Sequence, residues 1–334
     1  VGLIDFKPLV RVTVNGTDLT DRAFALITSV TITDAAGMVS DTAEITFSNV
    51  SFFGAAAMPN VGAEVEISLG YFLKFRKMGL FIVDEVEEAD PPRAITLVCR
   101  AKIQGVSDGG RSPITQQKSR SWPNMTLGEI VQTIAGDNGL KPAITEVVSQ
   151  LQPGHLDQID ESDISFLTRI AVARDLIAKP AGGYLFVGRR GDAINASGQE
   201  MPNTVLFRDD VTRWAMRRSL GETVGTVIAT FRDLEQGRDE EVKAGEGEPV
   251  RRLRPRYRDE SEARSVADAE ARRAGRSVET LSVSMPGNPA VIAESKVVPM
   301  DFSSASVGAW VVESVTHSVT REGYKTTFSA ERPE

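Results

Sequence analysis

Between residues 8 and 103 apolar and polar positions alternate in short runs. Leu9-Val10-Arg11-Val12-Thr13-Val14 stops at Asn15-Gly16, and a second run over 27–33 closes at Asp34 to Gly37. Runs at 42–47, 63–69, 80–86 and 95–101 continue the pattern, separated by Gly, Pro, Asn or Asp. A period of two puts successive side chains on opposite faces of a strand, and these runs are rich in β-branched residues. The pattern predicts a small antiparallel β-barrel or sandwich, with a first β-barrel domain over 1–105.

Residues 104–121 are polar and read as a connector, after which the period changes. Thr126 with Glu129 three positions on is a capping pattern, and Leu127, Ile130, Val131 and Ile134 follow at helical spacing before Gly136 and Gly139. Ser162 opens a second helix, with Ile164, Phe166, Leu167, Ile170 and Ala171 on one face; Gly182-Gly183 and a strand over 184–187 follow. This is a small α/β domain, 106–200. β character returns at 204–207 and 223–231, is broken by a charged stretch, 232–258, and resumes at 278–284, 310–319 and 324–330. A helix over 262–276 follows the charged stretch, capped by Asp259 or Ser261, with Ala263, Val266, Ala267, Ala271 and Ala274 as its apolar stripe. The expected fold is mainly β with α+β parts: a second β-barrel domain over 201–235 and 278–334, carrying a charged helix-containing insertion, 236–277.

The two β regions repeat each other. Pro59-Asn-Val-Gly-Ala-Glu64-Val-Glu-Ile67 aligns with Pro289-Ala-Val-Ile-Ala-Glu294-Ser-Lys-Val297 at an offset of 230, and the segment from Gly79 through Phe81 to Val86 aligns with Gly308 through Trp310 to Val315 at 229. Two matches in order at nearly constant offset point to two related β-barrel domains. Two similar domains per chain let a trimer present six similar surfaces about one axis.

Composition limits the chemistry. The 334 residues include 38 Lys and Arg against 46 Asp and Glu, a formal charge of −8, which disfavours general attraction to nucleic acid or an anionic membrane. No apolar run approaches the roughly 18–20 residues needed to span a bilayer, and residues 1–10 do not read as a signal peptide. Cys99 alone cannot form an internal disulfide, which fits synthesis in a reducing compartment. With only His155 and His317 beside that cysteine, the usual imidazole and thiolate metal cages cannot be assembled, and no cofactor is expected. No phosphate loop, dinucleotide fingerprint, nucleophile elbow or zinc helix is present.

Three groups of residues invite a sharper reading. Asp157, Asp160, Glu161 and Asp163 could form a hydrolase's carboxylate pair, a calcium loop, for which the EF-hand spacing with its central Gly and terminal Glu is missing, a subunit contact, or helix-terminal charges favoured by the dipole, the last being the expected role. Arg251, Arg252, Arg254, Arg256 and Arg258 form a dense basic run, but Asp239, Glu240, Glu241, Glu246 and Glu248 precede it and Asp259, Glu260 and Glu262 follow. A charge-paired loop, a partner-docking surface and a nucleic-acid patch are the alternatives, with nucleic acid the weakest. His155, His317 and Cys99 are expected to be structural, Arg190-Gly191-Asp192 a turn, and Phe81 and Trp310 core.

Ser121-Trp122, Thr126-Leu127-Gly128-Glu129-Ile130, Gly139-Leu140-Lys141-Pro142, Asp157-Gln158, Glu161-Ser162-Asp163 and Phe166-Leu167, with 308–315 and 323–331, resemble the late control protein D family. These are tail hub proteins of contractile phages and phage-tail-like bacteriocins, similar in fold to the N-terminal part of type VI secretion spike proteins. The resemblance implies a homotrimeric, pseudo-six-fold collar with no catalytic residues, joining the hexameric tail tube to a trimeric spike. Its partners would be further copies of itself, the spike, the tail tube protein and other baseplate proteins, including the tape measure protein, without specific nucleic acid or membrane insertion. The location would be the baseplate of a virion or phage-tail-like particle assembled in the bacterial cytoplasm. Because residue 334 falls just after the last strand, fused lysozyme or needle modules are not expected and the spike would be a separate polypeptide. Competing readings are a peptidoglycan-binding, LysM-like envelope module, because two short helices lie between strands in the middle segment, and a cell-wall hydrolase using the 157–163 carboxylates.

Overall fold

The computed structural model describes residues 7–18, 26–37, 40–48, 59–72, 74–102, 113–181, 183–192, 194, 201, 203–219, 224–234, 236–277 and 279–333. The first six residues, the connector up to 112, Gly182, Val278 and the expected boundaries near 105 and 200 lie outside the described residues.

Along the chain the first β region comprises β1 (Leu9–Val14), β2 (Thr17–Asp18), β3 (Ile27–Ala35), β4 (Thr42–Ser48), β5 (Glu64–Tyr71), β6 (Lys74–Ala89) and β7 (Ala94–Ala101). Burial follows the alternation: Val10 and Val12, Val30 and Ile32, Ala43, Ile45 and Phe47, and Ile95, Leu97 and Cys99 all face one core. The middle comprises β8 (Gln117–Trp122), α1 (Leu127–Asp137), β9 (Lys141–Ile144), α2 (Glu146–Ser149), β10 (Leu156–Ser162), α3 (Asp163–Ala173), β11 (Leu176–Ala181) and β12 (Tyr184–Arg189). Thr126 and Glu129 form the expected capping box on α1, and Ser162 accepts the Ser165 N–H at 3.2 Å to cap α3. Then come β13 (Thr204–Phe207), β14 (Arg213–Arg218), β15 (Thr226–Asp233), β16 (Arg238–Gly245), β17 (Val250–Tyr257), α4 (Glu260–Ser277), β18 (Glu279–Pro286), β19 (Lys296–Met300), β20 (Trp310–Thr320) and β21 (Gly323–Glu331).

The described strands give a mainly β fold with α+β parts, divided into two units. The first unit, residues 1–111, 202–215 and 282–330, holds both β regions. They share one sheet, in the order β14-β18-β21-β20-β3-β4-β7-β6-β5-β1-β2, with β19 on β20 and β13 parallel to β19. The junction is β20 against β3, antiparallel from Ser314–Ala35 to Thr320–Ser29. This backbone pairing places the two β regions in one unit.

The second unit, residues 112–201, 216–281 and 331–334, contains the middle segment and the charged segment. In the middle, β8 pairs with β10, and β12 lies between antiparallel β11 and parallel β9. The charged stretch, read from sequence as an interruption, is itself regular: β15 is central, antiparallel to β16 and parallel to β17. Apolar Val227, Ala229, Val242 and Ala244 meet Ala263 and Ala267 of α4 beneath the charged side chains. Thus β15, expected in the second barrel, belongs with the charged segment, because its buried face is the one that covers α4. Asp259 caps α4, its Oδ1 accepting the Glu262 N–H at 2.9 Å.

Candidate functional site

The repeat has a structural counterpart. Each half of the shared sheet runs in the same strand order, β3-β4-β7-β6-β5 in the first and β14-β18-β21-β20-β19 in the second. In the first hairpin Val65 lies opposite Phe81; in the second Val297 lies opposite Trp310. The Val83 N–H donates to Ala63 O, and the Val312 N–H donates to Ser295 O, each at 2.9 Å. Phe81 and Trp310 are therefore equivalent, as are Gly79 and Gly308, but the preceding strands match at an offset of 232 and not 230. Gly62 and Glu294 are the equivalent pair, both in the left-handed backbone region at φ 90° and 66°. Glu64 is then not the counterpart of Glu294, nor Pro59 of Pro289. A slip of two keeps every side chain on its own face, so alternation could not reveal it.

The signature residues are structural. Phe81 and Trp310 are buried, the Trp310 indole donating to Ser306 O at 2.9 Å. Gly79 lies against the Phe81 ring, where a Cβ would come within 2.8 Å of a ring carbon. Glu64 is ion-paired with Lys102, Glu294 accepts the Gly37 N–H at 3.0 Å, and Pro289 O accepts from Arg76 at 3.3 Å.

The 157–163 carboxylates have the chemistry of an anchor. Asp163, fully buried at the start of α3, accepts from Lys118 at 2.6 Å, Gln158 at 2.9 Å, Asn138 at 2.9 Å and Arg120. Burial pushes its pKa up, but the hydrogen bonds from Gln158, Lys118 and Asn138 and the Arg120 charge outweigh this and hold it below the usual carboxylate range. A glycosidase acid needs the opposite displacement. Glu161 is ion-paired with Arg169 at 2.8 Å, and Asp160 accepts from Ser119 at 3.0 Å. Ser121, His155 and Asp157 lie together on the surface, yet Ser121 Oγ at 3.3 Å and Asp157 Oδ1 at 3.2 Å both approach His155 Nε2. A nucleophile relay uses opposite ring nitrogens, so this trio is not one.

Arg251, Arg252, Arg254 and Arg256 lie on β17, not on a loop, and Arg258 follows it in the bend before α4. Arg251 pairs with Glu270 at 2.5 Å, Arg252 with Glu241 at 2.5 Å, Arg256 with Asp239 at 3.0 Å and Arg258 with Asp259 at 2.6 Å; Arg254 is exposed. A cross-strand acid thus answers Arg252 and Arg256, and α4 or its cap answers Arg251 and Arg258. A second charged cluster holds the end of α4: Arg276 is buried and pairs with Asp175 and, at 3.4 Å, with Glu331.

His317 is buried, with Nε2 3.0 Å from Val291 O and Nδ1 facing Tyr324 Oη at 2.9 Å and Thr326 Oγ1 at 3.1 Å. Burial lowers its pKa to about 4, so at neutral pH the ring is uncharged, donating from Nε2 and accepting at Nδ1. Cys99 is buried and its thiol is pushed up to about 12, an inert core residue. Arg190-Gly191-Asp192 is a turn and bend. Among the described residues no group of three His, Cys, Asp or Glu is placed to hold a metal ion.

Sequence reasoning missed two strand edges. Residues 84–89 of β6 run beyond the reach of β5 and carry exposed Glu85, Glu87 and Glu88. β14 ends the shared sheet and carries exposed Arg213, Ala215, Arg217 and Arg218. The signal was present as Asp84-Glu-Val-Glu-Glu88 and Arg213-Trp-Ala-Met-Arg-Arg218, runs of one sign around small or apolar residues.

A mainly β chain with paired half-sheets and charged strand edges has the fold of tail proteins. The 43 kDa tail protein of prophage MuSo2 from Shewanella oneidensis superposes with a TM-score of 0.69 at 16% identity, over 98% of each chain. The type VI secretion component c3393 of Escherichia coli superposes with a TM-score of 0.52 at 11% identity, over 91% of this chain and 73% of the other. Residues 114–323 match the model of the phage tail baseplate hub (GPD) family, and the chain belongs to that family. In sequence it is 25% identical to the probable baseplate hub protein of Escherichia phage 186, over 97% of this chain and 92% of that protein. It is therefore a structural hub protein of the phage tail baseplate.

Proposed function

We propose that the chain forms a homotrimeric collar that joins the hexameric tail tube on one side to a trimeric spike on the other, without catalytic turnover. One observation carries this reading: each chain holds two half-sheets with the same strand order, joined edge to edge in a single sheet. Three copies present six such halves about an axis, while the rest of each chain keeps three-fold symmetry. The collar matches six to three by geometry alone. The type VI component lends support, being described as similar to the phage T4 tail proteins gp27 and gp5. The saturated, low-pKa Asp163 and the paired arginines of β17 favour a scaffold over a hydrolase or a nucleic-acid binder.

Electron microscopy of the purified protein at high concentration, alone and mixed with its spike protein, tests the proposal. End-on views should show a three-fold ring with six similar inner lobes around an axial hole. Monomers in both samples would overturn it.

A further inference from the structure

Each half-sheet offers the same two edges, but within one chain only one pair of them meets. β20 pairs with β19 at Trp310 and Val311, then continues past it and pairs with β3 from Ser314 onward. In the other half the strand equivalent to β20 is β6, which likewise continues past β5 after the Ala63–Val83 hydrogen bond. The strand equivalent to β3 is β14, at the end of the sheet. Residues 84–89 of β6 and the outer edge of β14 have no strand partner on those sides among the described residues. An open edge is a template for another strand.

We propose that these two edges pair with each other between copies of this chain: residues 84–89 of one copy lie antiparallel to β14 of the next, repeating the β20–β3 junction in trans. The inference rests on the trimeric reading above and names the seam that closes it. Because the two edges differ, the contact is heterologous and runs head to tail, as a closed ring requires.

Register and charge agree. On β20 and β3 the outward Thr316 and Thr33 hydroxyls lie 3.4 Å apart, directly opposite each other. At the offset of 229, Glu87 takes the place of Thr316 and Val86 that of Val315. Ala215 and Arg213 share a face with Ser282, Ser284, Ser314 and Thr316, so by alternation β14 turns Arg213, Ala215 and Arg217 to the side that Thr33 occupies on β3, and Ala215, the middle one, is set opposite Glu87 as the central register. Setting Glu87 opposite Ala215 puts Glu85 directly opposite Arg217 and Glu87 within diagonal reach of Arg213 and Arg217, and lays Val86 on the side of Trp214 and Met216. Three exposed glutamates thus meet an arginine-bearing strand. The internal junction, a permanent contact, is lined by threonines and needs no such steering.

Disulfide trapping in the full chain tests the seam, and the buried Cys99 stays out of the chemistry. Opposed strand residues lie within disulfide reach, so E87C/A215C should crosslink into a ladder that stops at three chains. Neither single variant should crosslink by itself, whereas an equal mixture of E87C and A215C should give dimers only. The pairs E85C/A215C and E87C/R217C detect a register slip of two in either direction. In the E87C/A215C background, Arg217→Glu should slow crosslinking roughly tenfold or more, and Glu85→Arg should restore it. A trimer by native mass spectrometry with no crosslink from any of the three pairs would overturn the seam and leave the collar standing. Monomers without crosslinks would overturn both.

Discussion

His317 gives the first unit a built-in sensitivity to acid whose size follows from its surroundings. Buried among Val291 O, Thr326 and Tyr324, it takes a proton in the folded chain only near pH 4, against 6.5 for an ordinary histidine. Between those values the unfolded chain binds a proton that the folded chain refuses. Stability contributed by the neutral ring is complete above about pH 6.5, falls as pH drops towards 4, and levels off below. A difference of this size corresponds to about 3 kcal/mol in full, and to about 2.5 kcal/mol between pH 7.5 and 4.5. Asp34, which favours the charged ring, and Arg76, which opposes it, are smaller influences than burial. Urea unfolding should be followed by tryptophan fluorescence, Trp310 being buried in the same unit, with protein dilute because the pI is about 5.1. Comparison with His317→Gln cancels the carboxylates common to both proteins. The wild type should lose about 2.5 kcal/mol more than the variant over that range. Parallel curves would refute the reasoning.

Two substitutions test the packing. Asp163→Asn leaves Lys118 and Arg120 facing a neutral amide and should destabilise the second unit by about 2–3 kcal/mol, read as faster amide exchange in β8, β10 and α3. Gly70→Ala sets a Cβ 1.9 Å from Lys74 O at φ 151°, a clash with backbone that no side-chain rotation relieves. A loss of more than about 2 kcal/mol in urea unfolding is expected, and an unchanged midpoint would refute the β5–β6 turn geometry.

Legibility in the sequence followed burial. The strands of the first β region and both capped helices could be read because one face of each is apolar, and period follows burial. β8 and β10 were hidden, since β8 carries Lys118 and Arg120 to serve one buried carboxylate and so looks like a polar linker. β16 and β17 were hidden because β16 gives the core only Val242 and Ala244, and the charged side chains around them are held by ion pairs between the two strands, Arg252 with Glu241 and Arg256 with Asp239, so charge outweighs the short apolar alternation in the sequence. The repeat could be seen, but its register could not. Backbone hydrogen bonds and the left-handed turn at Gly62 and Glu294 decide the two-residue slip, and neither writes itself into hydropathy. Asp163 looked like an ordinary first-turn acid, because its partners come from β8, α1 and β10.

The β20–β3 pairing also sets an order of events during synthesis. Thr33 waits for Thr316, 283 residues later. At about 5–20 residues per second that interval is on the order of 15–60 s. Through that time the first β region has left the ribosome with its β3 edge unclaimed, while neighbouring nascent chains on the same messenger carry acidic β6 edges of the kind that suits a β3-like strand. Premature pairing between unfinished chains would give open chains of subunits instead of a closed collar. The arginines of β14 offer discrimination: β3 carries no such charges, so an acidic β6 edge gains little by binding there and is left for the later, basic strand. In the proposed collar, charge at the seam would thereby act as a clock, holding subunit joining back until each chain has completed its own sheet.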